Sequence, residues 1–150
     1  MLSNAKWDLY FIGMAQYIST ASRDPSTQTG AVIAGPDREV IGTGFNGFPS
    51  SMPDDPALYA NREEKLSRII HCEMNALIYA ARRIPTGSML YTWPFMSCDR
   101  CIVHMLQAGI RRFVAPQASK EQTERWGGAF AKTRRYILEC GAYLYEYSTH

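Results

Sequence analysis

His71-Cys72-Glu73, followed further along the chain by Cys98-Asp99-Arg100-Cys101, are the strings on which the reading of this sequence turns. Cys98 and Cys101 are three apart, so on a helix they share a face. At the start of a helix, free backbone N–H groups and the dipole favour the thiolate, the form that binds metal. His71 and Glu73 are two apart, and residues so spaced on a regular helix do not share a face. The pair makes sense at a helix entry turn, so the spacing predicts a break in the helix-forming stretch 62–83 just before His71. Two helix N-termini would then meet, with His71, Cys98 and Cys101 as three ligands for one zinc ion. Three protein ligands leave a tetrahedral zinc one open position, where water becomes a nucleophile near neutral pH. Glu73, beside it, is the candidate proton carrier. An isolated C-x-x-C divides between metal and redox use, and the added H-x-E decides for metal. A closed structural zinc would need a fourth ligand, for which Cys140 and His104 are the candidates.

Working outward, Trp7, Tyr10, Phe11, Met14, Ile18 and Ala21 recur at helical spacing and predict a helix over 4–22, ended by Asp24-Pro25. Residues 30–35 and 39–45 read as two strands around the turn signal Pro36-Asp37, hence a hairpin. The stretch 46–61 is rich in Pro and Gly and is read as an ordered loop carrying Phe48, Met52 and Tyr59. Met89 to Trp93 is a strand, Cys98 to Ala108 a helix closed by Gly109, and Arg111 to Ala115 a strand. Ser119 and Gln122 form a capping box for a helix to about Cys140, and Ala142 to Tyr147 is a last strand. The order α-β-β-α-β-α-β-α-β predicts an α/β layer fold with one mixed sheet, in a single domain over 1–150.

Composition bounds the function. The chain has 150 residues, 46% hydrophobic and 20% charged, with formal net charge +2. No run approaches the 18 apolar residues of a membrane span. Met1 to Trp7 shows no secretory leader, so a cytoplasmic setting is expected, the host cytoplasm if the source is viral. Residues 1–75 carry 6 basic and 9 acidic side chains and residues 76–150 carry 10 and 5, but the excess is scattered as Arg82-Arg83, Arg111-Arg112 and Arg134-Arg135. That is too thin for a protein that lives on a nucleic-acid backbone and ample for a mononucleotide.

With those residues in place the chain resembles the deoxycytidylate (dCMP) deaminases of the cytidine deaminase-like superfamily. H-x-E followed by P-C-x-x-C is the signature of zinc nucleobase deaminases, met here with Ser97 in place of the proline. The resemblance runs from about Ser22 to Pro116. It includes Ser22-Arg-Asp-Pro-Ser-Thr-Gln-Thr-Gly-Ala31, Gly42-Thr-Gly-Phe-Asn-Gly-Phe-Pro49, His71-Cys-Glu-Met-Asn-Ala76 and Gln107-Ala-Gly-Ile110. It implies a three-layer α/β/α fold with a five-stranded mixed sheet. It also implies hydrolysis of dCMP to dUMP and ammonia, with zinc on His71, Cys98 and Cys101 and protons carried by Glu73. Asn46 would bond the sugar, and the backbone at Cys72 and Ser97 would read the pyrimidine edge. Members are commonly hexamers activated by dCTP and inhibited by dTTP, with Mg²⁺ on the triphosphates.

Beside that family reading, Arg23, Ser26 and Thr27 are read as the cation and hydroxyls for the substrate phosphate, and Tyr79 as an aromatic that could stack on the base. The resemblance also implies that Gly44, Phe45, Asn46, Gly47 and Phe48 border an effector site for deoxynucleoside triphosphates. The bland alternatives are a structural turn for Asn46, a helix-end charge for Arg23, a core position for Tyr79 and a tight loop for the glycines. Cys72 stands where the family has Ala, and Ser97 where it has Pro. The stretch 49–70 has no Cys or His, so one zinc per chain is expected. The rival functions are a deaminase of another base or nucleotide (dCTP, cytidine, tRNA adenosine) and a non-catalytic zinc-containing nucleotide-binding protein.

Overall fold

The computed structural model of the chain describes residues 4–148, so the leader reading lies outside the described residues where it falls on Met1 to Ser3. In chain order the elements are α1 (Asn4–Ser19), β1 (Gly30–Ala34), β2 (Val40–Phe45), α2 (Pro56–Ala60), α3 (Arg62–Arg68), α4 (Cys72–Ala80), β3 (Met89–Trp93), α5 (Asp99–Gln107), β4 (Arg112–Pro116), α6 (Lys120–Glu139) and β5 (Tyr143–Tyr147). The strands form one five-stranded sheet in the order β2-β1-β3-β4-β5. β1 is antiparallel to both its neighbours, while β3, β4 and β5 run parallel through the α5 and α6 crossovers. This is the mixed sheet expected. The β1–β2 hairpin closes where Gly35 N–H donates to Glu39 O at 2.8 Å.

Helices cover both faces, and strand alternation sorts the side chains between them. Val32, Ala34, Tyr91 and Val114 meet Phe11, Ile12 and Ala15 of α1 on one face. Ala31, Ile33, Leu90 and Phe113 meet Ala76, Ile102, Met105 and Ile137 from α4, α5 and α6 on the other. β1 is buried along its whole length, which is why it reads as a continuous apolar run rather than an alternating one. α4 lies directly on β2 because two glycines there make room. A Cβ on Gly42 would come within 2.3 Å of Ala76 O, and one on Gly44 within 2.4 Å of both Ala76 N and Cys72 O.

On the α1 face sits a buried polar cluster. Asp8, 1% exposed, accepts from Arg112 Nη1 at 2.7 Å and Nη2 at 2.6 Å, from Tyr91 Oη at 3.1 Å and from Tyr147 Oη at 2.5 Å. Burial pushes the Asp8 carboxyl up, but Arg112, Tyr147 and Tyr91 together hold it below the usual carboxylate range. The cluster ties α1 to β3, β4 and β5.

Two details depart from the expected elements, and one expected break is met. The first helix stops at Ser19, and 20–22 continue as turns, Ala21 N–H donating to Ile18 O at 3.1 Å. The expected loop 46–61 contains α2, because Asp55 caps it, accepting from Ala57 N–H at 2.9 Å, and Pro56 is pre-set for a first helical turn. The predicted break before His71 is real: α3 ends at Arg68, and Ile70 pairs with Gly47 in an isolated antiparallel bridge before α4 begins. Among the described residues no helix is long and apolar enough to cross a membrane.

Candidate active site

His71 is the N-cap of α4 and Cys98 the N-cap of α5, both in extended backbone, and Cys101 lies one turn into α5. The two helix starts face each other. His71 Nδ1 is 3.5 Å from Cys98 Sγ and 3.2 Å from Cys101 Sγ. Ordinary Zn–N and Zn–S lengths in a tetrahedron place a nitrogen and a sulfur about 3.6 Å apart, so the three ligand atoms fit one zinc ion. All lie within 4.8 Å of one another, and among the described residues no fourth His, Cys, Asp or Glu joins them. The fourth-ligand candidates are elsewhere: Cys140 is an exposed free thiol, and His104 Nδ1 is bonded to Arg100 O at 2.9 Å. The arrangement is the open, three-ligand kind.

The ligands set one another's protons. The hydrogen bond with Cys98 raises His71 to about 9 against burial, helped by the charges of Glu73 and Cys98. The hydrogen bond from Cys101 lowers Cys98 to about 4, with burial opposing and His71 assisting. Cys101 is pushed up, because Cys98 already carries the anion and burial disfavours a second. A metal bound here therefore displaces protons from both the His71 ring and the Cys101 thiol.

Glu73, 4% exposed, occupies the first turn of α4 with Oε1 4.0 Å from His71 Nδ1. Its other oxygen, Oε2, accepts from Ser97 Oγ at 2.7 Å. Cys72 is buried, and its thiol is pushed well up by burial and then by the Glu73 charge, so it stays neutral. α4 begins at Cys72, and its first backbone N–H groups have no partner within the helix.

His71, Cys72, Glu73 and Cys98 line a cavity of about 370 Å³, while Cys101 and Ser97 lie behind its lining. One wall is aromatic: Phe95 packs on Trp126 at 4.9 Å and on Phe130 at 5.4 Å between ring centroids. The 22–29 loop also lines it, organised by two buried residues. Asp24 accepts from Ser26 N–H at 2.8 Å, Thr27 N–H at 3.3 Å and Lys65 Nζ at 2.9 Å. Asn46 donates to Asp24 Oδ2 at 3.2 Å and Thr27 O at 2.9 Å, and accepts from Thr29 N–H at 2.9 Å. Both Asn46 amide hydrogens are therefore in use, and Oδ1 keeps one acceptor lone pair.

Of the site residues read from the sequence, Ser26, Thr27, Asn46, Cys72, Glu73 and the His71 and Cys98 ligands line this cavity. Arg23 does not. Its side chain is 73% exposed and pairs with Asp54 at 3.5 Å. The cavity's cations are Arg62, Lys65 and Arg125. Lys65 is spent on Asp24 at 2.9 Å, whereas Arg62 and Arg125 have no carboxylate partner among the described residues. Tyr79 points away, 67% exposed, because seven residues past Cys72 the helix has carried it beyond the site. The effector reading also changes. Gly44 gives its space to α4, and Phe48 is buried and stacked on Tyr59 at 4.1 Å and 7°, so neither is free for a ligand base. Gly47 is bridged to Ile70, and Phe45 alone of the segment's side chains is exposed, at 40%. Arg62, Phe95, Arg125, Trp126 and Phe130 were not singled out from the sequence. The i,i+4 pair Trp126 and Phe130 was the available signal.

Residues 5–117 match the family described as "Cytidine and deoxycytidylate deaminase zinc-binding region". The chain is 35% identical over 137 residues to an Aliivibrio fischeri protein described as "Uncharacterized deaminase in luxG 3'region", covering 91% of this chain and 90% of that one. It is 30% identical over 114 residues to the deoxycytidylate deaminase of Mus musculus, covering 73% of this chain and 64% of that protein, so it spans under two-thirds of that relative's length. Among solved structures it is similar to the dCMP deaminase of cyanophage S-TIM5 in complex with dCMP and dUMP, with a TM-score of 0.70 at 16% identity, covering 97% of this chain and 99% of that one. At that identity the likeness concerns the fold, while the sequence match and the His/Cys/Cys group concern the site. This chain belongs to the family of the cytidine and deoxycytidylate deaminase zinc-binding region.

Proposed function

We propose that this chain hydrolyses the 4-amino group of dCMP, giving dUMP and ammonia. The observation that carries the reading is a buried carboxylate, Glu73, set beside a three-ligand metal site and opening on a cavity whose arginines, Arg62 and Arg125, have no carboxylate partner among the described residues, Arg125 lying over the Trp126 ring. His71, Cys98 and Cys101 would hold zinc, which when bound would make a water nucleophilic near neutral pH. Glu73 accepts the proton of the attacking water at Oε1. It passes that proton to the ring nitrogen next to C4, then takes the proton of the new C4 hydroxyl and delivers it to the amino nitrogen, so that the C4 carbonyl forms as the C–N bond breaks and ammonia leaves. One positioned group thus acts as base and then acid. The free N–H groups at the start of α4, Cys72 among them, are suited to the ring carbonyl. The Phe95, Trp126 and Phe130 wall suits a flat pyrimidine. Asn46 holds the 22–29 loop and keeps one acceptor for the sugar hydroxyl, while the Ser26 and Thr27 hydroxyls with Arg62 and Arg125 suit a phosphate. This moves the phosphate contact from Arg23 to those two arginines.

Regulation is the finer part of the proposal: activation by dCTP and inhibition by dTTP, Mg²⁺ on the triphosphates, and a hexamer with residues 1–150 as one unit. Its support is the resemblance of Gly42 to Pro49, with Phe45 as the contact side chain that remains.

The test is ammonia release from dCMP, dCTP, deoxycytidine and cytidine, with and without added triphosphates. dCMP is expected to exceed deoxycytidine in kcat/KM by about 10²-fold, since a charge-assisted contact left unmade costs about 2–3 kcal/mol. Equal values would remove the phosphate site. No ammonia from any of them would favour the non-catalytic binding protein. Hyperbolic dCMP kinetics unaltered by either triphosphate would remove the regulatory part.

A further inference from the structure

Ser97 stands where the family string has proline, and its side chain makes a contact that proline cannot. Ser97 Oγ donates to Glu73 Oε2 at 2.7 Å, and both residues are buried, at 5% and 4% exposure. The second carboxylate oxygen, Oε1, lies on the side of the metal ligands, 4.0 Å from His71 Nδ1. The two oxygens of one carboxylate therefore have different neighbours. Ser97 is itself held in place. Thr133 of α6, with no exposure, donates through Oγ1 to Ser97 O at 2.9 Å, and the next residue, Cys98, caps α5.

The terminal torsion of a glutamate is broad and nearly two-fold, so staggering alone does not fix which oxygen faces which way. A donor on one oxygen does. We propose that Ser97 is a positioning residue: its hydroxyl locks Oε2 of Glu73, so that Oε1 alone is presented for proton transfer to and from the nucleotide. A hydroxyl can donate to Oε2 whether or not Oε1 carries a proton, so the lock persists as Glu73 changes from base to acid. The inference rests on Glu73 as the proton carrier of the proposed reaction, and it adds the group that aims it. In relatives with proline at this place, the carboxylate must be aimed by something else.

The test is a double-mutant cycle in the zinc-loaded protein with dCMP. Ser97→Ala is expected to lower kcat about 10- to 100-fold and to change KM less than about threefold, as a small misplacement of a reacting group does. Zinc content should stay at the wild-type level. Ser97→Thr, which keeps the hydroxyl, should recover most of the loss. In a Glu73→Gln background Ser97→Ala should cost nothing further in residual kcat, because no proton carrier is left to aim. Wild-type kcat in Ser97→Ala, or the same loss in both backgrounds, overturns the proposal. The same four proteins compared by denaturant unfolding give a readout independent of turnover. The losses of the two single variants should fail to add, as for residues in contact, and additive losses would overturn the pairing. If the wild type releases no ammonia from dCMP, the substrate reading fails while the unfolding cycle still decides on Ser97 and Glu73.

Discussion

Among the described residues Asp8, Asp24 and Glu73 are buried carboxylates, and two of them, Asp8 and Glu73, on opposite faces of one sheet, are treated differently. Asp8 receives four hydrogen bonds, two from Arg112 and one each from Tyr91 and Tyr147. Its charge is matched, and its oxygens are filled. Glu73 is almost as buried, yet no cation offsets it at hydrogen-bond distance: the Ser97 hydroxyl donates to one oxygen, the thiols of Cys72 and Cys101 are its other side-chain partners, and Oε1 faces the metal ligands and the cavity. A saturated buried carboxylate has nothing left to offer a substrate and serves to tie elements together. One left half-satisfied at the wall of a cavity keeps a working oxygen, and the fold bears the cost of holding it. The contrast supports a structural role for Asp8 and the proposed proton transfer for Glu73.

The largest expected effect is on chemistry. Glu73→Gln should keep its zinc and lower kcat for dCMP by at least about 10²–10⁴-fold, the usual worth of a positioned proton carrier. Single-turnover measurement on protein of verified zinc content checks it. Next comes Asp8→Asn, which leaves the half-buried Arg112 without its anion. It should reduce unfolding free energy by about 3–5 kcal/mol, read by urea denaturation. Gly44→Ala follows, since its Cβ would sit 2.4 Å from the Cys72 carbonyl oxygen and the Ala76 nitrogen. α4 must shift, at a cost of about 1–3 kcal/mol, and kcat should fall as His71 and Glu73 move with it. The smallest effect is in pH. Because the folded Asp8 carboxyl is held below its ordinary value, its contribution is full above the unfolded pKa of about 3.9 and is lost as pH falls through the lower folded value. The stability gap between wild type and Asp8→Asn should therefore narrow only below about pH 4, as acid titration of unfolding would show.

These regions also differ in how far they could be read from the chain. The metal ligands were legible because their spacing is local: C-x-x-C at a helix start, and an i,i+2 pair that demands an entry turn. The break before His71 followed from that geometry, and the mixed sheet followed from the order of apolar runs and turn signals. The Asp8 cluster was not legible, since its partners lie 83, 104 and 139 residues away along the sequence and only the folded sheet gathers them. The cavity's arginines were missed for a related reason. Arg62 and Arg125 look like ordinary solvated charges on polar helix faces, and Arg23, nearer the motifs, faces solvent instead. Tyr79 shared α4 with the ligands, but helical advance took it away. α2 had a signal, Asp55 before Pro56, that was hidden in a stretch read as a loop.

The division of labour between the two carboxylates is tested most directly by crossing their readouts. Glu73→Gln and Asp8→Asn, each zinc-loaded, would be measured for both dCMP turnover per folded molecule and unfolding free energy. Glu73→Gln is expected to unfold within about 1 kcal/mol of the wild type while losing turnover. Asp8→Asn is expected to unfold far earlier yet deaminate at close to the wild-type rate per folded molecule. A folded Asp8→Asn protein that no longer deaminates dCMP, or a Glu73→Gln protein that still does so at the wild-type rate, would contradict it.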